Sequence, residues 1–105
     1  MTFSEQIGRN LRKARREASM SQGDLSRRAG LHLFEVGLIE RGLRIPRIDT
    51  CIKILESAHA DPRGLCEGIA WHEPVRFDEE GWFTISGLDG PVDLRPPRRK
   101  REENR

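Results

Sequence analysis

Cys51, His59, Cys66 and His72 carry the side chains of this chain best suited to hold a metal ion, since two thiolates and two imidazoles make a tetrahedral zinc set. Their spacing matches no common finger, and Cys51 falls on the apolar stripe of a helix, so no metal site is expected. Nothing around Cys66 marks it as an activated thiol. The chain has no glycine loop able to cradle a phosphate and no nucleophile elbow, so neither an enzyme nor a bound cofactor is expected. What remains is charge. Arg95 to Arg101 is rich in arginine and reads either as a nucleic-acid arm that adds salt-sensitive affinity or as a solubilising end.

These groups sit in a chain of 105 residues, room for one small domain and an appendage. The net charge of +2 is unevenly spread. Residues 1–70 hold twelve Lys/Arg against nine Asp/Glu, or +3; residues 71–94 hold one against six, or −5; residues 95–105 hold six against two, or +4. A basic body, an acidic insert and a basic tail leave only part of the surface open to a polyanion. No apolar run approaches the roughly 20 residues of a membrane span, and the first residues lack the pattern of a signal peptide. Two cysteines are too few for a disulfide framework, which fits a reducing, cytoplasmic setting without membrane contact.

Five helices are predicted ahead of residue 70. Thr2 and Glu5 stand in capping-box spacing, and Ile7, Leu11, Ala14 and Ala18 recur at intervals of three and four, giving a helix over 3–18. Ser21 and Asp24 repeat the cap for a second helix over 22–29, which Gly30 stops by adopting a left-handed conformation. A third helix runs over 32–40, with Val36 and Ile39 inward, and stops at Gly42. Ile48, Cys51, Ile52, Leu55 and Ala58 form the stripe of a fourth, ending near His59. Asp61-Pro62 starts a short fifth over 62–68, burying Leu65 with Cys66 and Ile69. Val75-Arg76-Phe77 and Trp82-Phe83-Thr84-Ile85 then read as two strands around an acidic turn. Residues 91–105 are rich in proline and arginine and read as a disordered tail.

The run Ser21-Gln22-Gly23-Asp24-Leu25-Ser26-Arg27-Arg28-Ala29-Gly30-Leu31, continued by Val36, Ile39-Glu40-Arg41-Gly42 and Pro46, resembles the helix-turn-helix domain of the phage-repressor/Cro (XRE) family. The resemblance covers about two thirds of the chain. It implies an all-α, five-helix, lambda-repressor-like DNA-binding domain over 1–70, here followed by a β-hairpin extension over 71–90. It further implies double-stranded DNA as partner, with the helix at 32–40 entering the major groove. Gln22, His32, Arg41, Arg44 and Arg47 match positions that meet phosphates, and Arg15 and Glu40 match a structural ion pair. Leu33, Phe34, Glu35 and Leu38 match positions that face the bases.

There the chain departs from the family, which usually places hydrogen-bonding side chains at those positions. Leucine and phenylalanine meet only thymine methyls, and Gly37 in mid-helix weakens the helix or admits a close backbone approach. Three readings stay open at this point. The helix reads DNA through shape and methyl contacts; or it binds another protein, as an adaptor or antitoxin-like partner; or the chain's own C-terminal segment covers it. The main expectation is a sequence-specific transcriptional regulator. It would act as a homodimer, with Phe77, Trp82, Phe83 and Ile85 of the hairpin as the dimerisation element.

Overall fold

The computed structural model describes residues 1–97. Its helices are α1 (Phe3–Glu17), α2 (Gln22–Ala29), α3 (Leu33–Glu40) and α4 (Ile48–Ser57), followed by a 3-10 turn at Pro62–Cys66 and the strands β1 (Ile69–His72) and β2 (Trp82–Ile85). No helix among the described residues is long and apolar enough to cross a membrane.

The caps read from sequence are formed. Thr2 Oγ1 accepts from the Glu5 N–H at 3.2 Å while Glu5 Oε1 accepts from the Thr2 N–H at 2.8 Å. Ser21 and Asp24 do the same for α2, and the Ser21 N–H bond holds the Asp24 carboxyl below the usual carboxylate range. Gly30 closes α2 at φ 66°. The inward faces of the four helices meet in one core of which Leu11, Leu25, Val36, Ile39 and Ile54 are the most deeply enclosed members.

The fifth helix is corrected to a 3-10 turn. Asp61 caps it, accepting from the Arg63 N–H at 2.9 Å, but Gly68 at φ 80° follows within a few residues. The Leu65 and Glu67 carbonyls turn instead to Asn10 Nδ2, at 2.8 and 2.9 Å. So short a stretch, its carbonyls taken elsewhere, cannot propagate an α-helix. Cys66 is exposed rather than buried.

Two further expectations shift in phase. On α4 the inward arc is Cys51, Ile54, Leu55 and Ala58, which turns Ile48 and Ile52 out to solvent. The first strand is 69–72 instead of 75–77, paired antiparallel to β2 with Ile69 opposite Ile85 and His72 opposite Trp82. Pro74 cannot donate to a ladder, and alternation over 75–77 would place Val75 and Phe77 on one face with nothing to bury it. Pairing at 69–72 brings Ile69 against the core and buries Ile85.

The extension is fastened to α1. Phe83 packs between Phe3 and Trp71, each ring centroid 5.0 Å away. The segment expected to be disordered from residue 91 is held as far as it is described. The Val92 N–H donates to the Phe83 carbonyl at 3.0 Å, and the Phe3 N–H donates to the Asp93 carbonyl at 2.9 Å. The first turn of α1 thereby gains an acceptor for a donor that the helix itself leaves open. The remainder of the basic tail lies outside the described residues.

A close seam lies between α1 and α3, where Gly8 faces the carbonyls of Ile39 and Glu40. A methyl there would overlap backbone, which cannot rotate aside. Gly8→Ala is expected to lower unfolding free energy by about 2–3 kcal/mol, the scale of overpacking, as read from urea denaturation.

Candidate nucleic-acid interface

α2 and α3 are joined by Gly30, Leu31 and His32, with the Leu31 N–H donating back to the Ser26 carbonyl at 2.8 Å. His32 occupies the N-cap of α3, but its side chain makes no capping bond. It is exposed, and its ring is not spent on the helix end.

Only the first turn of α3 faces solvent. Leu33 and Phe34 are 56 % and 65 % exposed, and Glu35 has Arg44 Nη1 at 3.8 Å. From Val36 onward the helix is largely enclosed between α1 and α2. Leu38, expected among the base-facing residues, is only 2 % exposed and belongs to the interior. The reason is that α3 is packed on two sides, so its inward arc is wider than the single stripe of a surface helix. The described part of the C-terminal segment is hydrogen-bonded to the start of α1 and to β2.

Behind this turn lies a buried ionic cluster. Arg15 Nε and Nη2 donate to Glu40 Oε2 and Oε1 at 2.7 and 2.9 Å, a two-pronged pairing, and Arg15 Nη1 donates to the Met20 carbonyl at 2.8 Å. The hydrogen bond to Glu40 raises the Arg15 pKa above its usual value, against the opposite pull of burial. Gln22 Nε2 also donates to Glu40 Oε1, at 3.0 Å. Sequence reasoning placed Gln22 at a phosphate and missed this bond. Eighteen residues separate the partners, and no local pattern signals a contact made across a turn.

Gln22 then points its amide oxygen toward Gly37, where an added methyl would meet it at 4.0 Å and Arg41 Nη2 at 3.7 Å. Arg41 Nε donates to the Gly37 carbonyl at 3.1 Å. Both separations are ordinary packing distances, so the protein's own interior does not require a glycine here. Farther along, Arg44 and Arg47 are exposed, Arg47 with Asp49 Oδ1 at 3.2 Å. Gln22 and Arg41 thus stand beside Gly37 of α3 and Arg44 beside Glu35, while Arg47 is the N-cap of α4. Beside the last two stand Ile45, Ile48 and Ile52, exposed apolar side chains whose outward orientation no periodicity foretold.

The profile of the helix-turn-helix family HTH_3 matches residues 11–58 of this chain. A solved structure of the restriction-modification controller protein C.AhdI from Aeromonas hydrophila is 31 % identical, with 59 % of this chain covering 94 % of that one at a TM-score of 0.56. The chain belongs to the XRE-type helix-turn-helix family. An HTH_3 family transcriptional regulator from Vibrio cholerae is 28 % identical over 60 % of this chain, at a TM-score of 0.56, and the match spans 35 % of the longer regulator. The clp gene regulator ClgR from C. glutamicum, 15 % identical, covers 62 % of this chain and 84 % of its own at a TM-score of 0.59, a likeness of fold. No curated protein sequence matches the chain.

Of the remaining candidates, Phe77 is fully exposed, Trp82 is 40 % exposed, Phe83 is half-buried, and Ile85 is buried and so removed from any dimer surface. Cys51 is buried, and burial pushes its thiol up, away from the thiolate that a metal or an oxidant needs. Among the described residues no three His, Cys, Asp or Glu side chains cluster as metal ligands.

Two outcomes follow for this helix-turn-helix. Arg15→Met leaves Glu40 buried with only Gln22 as donor and is expected to cost about 3–5 kcal/mol in chemical denaturation. Gly37→Ala is expected to raise unfolding free energy by roughly 0.5–1 kcal/mol, the helix-propensity difference, measured by thermal unfolding.

Proposed function

We propose that this chain is a sequence-specific DNA-binding transcriptional regulator. It acts as a homodimer that seats the first turn of α3 in the major groove of double-stranded DNA. The observation that carries the reading is the arrangement around that turn. Leu33 and Phe34 are exposed on it, His32 precedes it, Gln22 and Arg41 lie near Gly37 and Arg44 near Glu35, and Arg47 is exposed at the start of α4. The flanking groups hold phosphates and set the approach, a sequence-independent attraction. Leu33 and Phe34 discriminate by packing on thymine methyls, and Glu35 accepts from a cytosine amino group. The bare backbone at Gly37 lets the helix come close. The hairpin extension, through Phe77 and Trp82, is the dimerisation element.

A second reading makes the first turn of α3 a protein-docking face, and the exposure of Leu33 and Phe34 favours it. Burial of Leu38 weighs against it, because two side chains make a small apolar patch for a stable complex. Methyl contacts within a groove need no larger patch.

The test is fluorescence anisotropy with a duplex from the region upstream of the gene and a scrambled control, over a salt series. Preferential binding that weakens steeply with salt is expected. Replacing Arg41, Arg44 and Arg47 by Ala should flatten the log–log salt slope by about 2.7, near 0.9 for each phosphate no longer neutralised. Phe34→Ala should reduce preference for the specific duplex and leave the slope unchanged. If Phe34→Ala abolished a protein complex and left DNA affinity intact, the second reading would replace this one.

A further inference from the structure

The surface of α1 turned away from the core carries Arg9, Arg12, Lys13 and Arg16, a spacing that stacks side chains on one helical face. With Glu67 and Ile85 they line a groove of about 760 Å³. Lys13 is neutralised there by Glu67 at 3.1 Å and Glu17 at 4.0 Å. Among the described residues Arg12 and Arg16 have no acidic partner, and Arg9 Nη1 meets only the Met1 sulfur, at 3.9 Å. Arg41, Arg44 and Arg47 do not line this groove, and the proposed function does not use it.

The opposite charge lies in the loop between β1 and β2, residues 73–81, with Glu73, Asp78, Glu79 and Glu80. Asp78 is paired with Arg76 at 3.3 Å, while the other three have no basic partner among the described residues. Val75 and Phe77 in this loop are 91 % and 102 % exposed, more than any other large apolar side chain described. The loop leaves the sheet at the end opposite its own groove. Gly68, Ile85 and Ser86 at the groove belong to the Ile69–Ile85 end of the sheet, whereas the loop leaves from the His72–Trp82 end. Those ends stand roughly 10 Å apart at about 3.4 Å per residue.

We propose that two copies of this chain pair by exchanging these loops, Glu73, Glu79 and Glu80 of each copy entering the Arg9–Arg12–Arg16 groove of the other. The inference rests on the reading of the hairpin extension as the dimerisation element and names the surface that receives it. The exchange is reciprocal, so one contact is made twice about a two-fold axis and the assembly closes. Phe77 leaves water on entering and offers its ring face to a guanidinium. Single exposed ion pairs contribute little, but three carboxylates against three guanidiniums around an aromatic ring form a network.

The test uses the full chain in analytical ultracentrifugation at low salt and at roughly 0.5 M salt, where charges more than a few ångströms apart are screened. One variant carries Arg9→Glu, Arg12→Glu and Arg16→Glu; a second carries Glu73→Lys, Glu79→Lys and Glu80→Lys. Circular dichroism and the melting temperature check that both fold. The wild type is expected to dimerise, more weakly at high salt, and each variant alone to associate roughly 100-fold more weakly. An equimolar mixture of the two variants is expected to form a heterodimer, because each reversed groove then meets a reversed loop. Variants that remain dimeric, or a mixture that does not associate, overturn the loop exchange while leaving a dimer. In that case dissociation by Ile48→Glu with Ile52→Glu would move the interface to α4. A dimeric groove variant that no longer binds DNA overturns it by assigning the arginines to phosphate. A wild type that is monomeric at both salt concentrations overturns the dimer reading itself.

Discussion

The pairing of Arg15 with Glu40 is the interaction on which the rest of this structure turns. It joins the last part of α1 to the last residue of α3, with both side chains almost wholly enclosed, 10 % and 4 % exposed. Two charges in such a place are favourable only in good geometry with their other polar atoms satisfied. The structure meets that condition through the two-pronged contact, the Met20 carbonyl and the Gln22 amide. A shift of α3 along α1 would break all of these at once. The pair therefore acts as a register pin as well as a source of stability, and Gly8 allows the two backbones close enough for it to form.

Because the pin holds the C-terminal end of α3, what the helix offers to a ligand is its N-terminal turn. Gln22 connects the two ends of this logic: it belongs to the first turn of α2, at the proposed phosphate surface, and bonds the carboxylate that anchors α3. Substitution at Glu40 would thus disturb binding through the orientation of Gln22 as well as through the fold. The division of labour follows from the residue types. In the proposed reading, Arg41, Arg44 and Arg47 would supply attraction without sequence information, and Leu33 and Phe34 discrimination limited to shape and methyl groups. Such a reader depends on how closely and in what orientation the helix is held, which is what the buried cluster controls.

The extension after residue 68 bears on the other side of α1. A two-stranded sheet is marginal alone, and this one is held by Phe83 against Phe3 and by the Val92 and Asp93 backbone bonds. Its docked face is consumed by the fold, which is why Ile85 and Phe83 are withdrawn from the surface and Phe77 is left in water.

The sequence by itself determined the parts whose causes are local. Thr2, Ser21, Asp24 and Gly30 act within one helical turn of themselves, so the bounds of α1 and α2 were legible within about one residue, and with them the family motif. The motif's residue types also brought Arg15 and Glu40 to notice. Tertiary structure decided whatever depends on a second surface. Leu38 is interior because α3 is flanked on two sides, and α4 turns Ile54 inward where the stripe read from sequence had Ile48 and Ile52. The 62–66 segment stops at a 3-10 turn because Asn10, more than fifty residues away, takes its carbonyls. Strand pairing settled at 69–72 because that register brings Ile69 and Ile85 against α1. Periodicity reports that a residue is apolar and on which face it lies; only the neighbours packed against that face decide how wide the buried arc becomes.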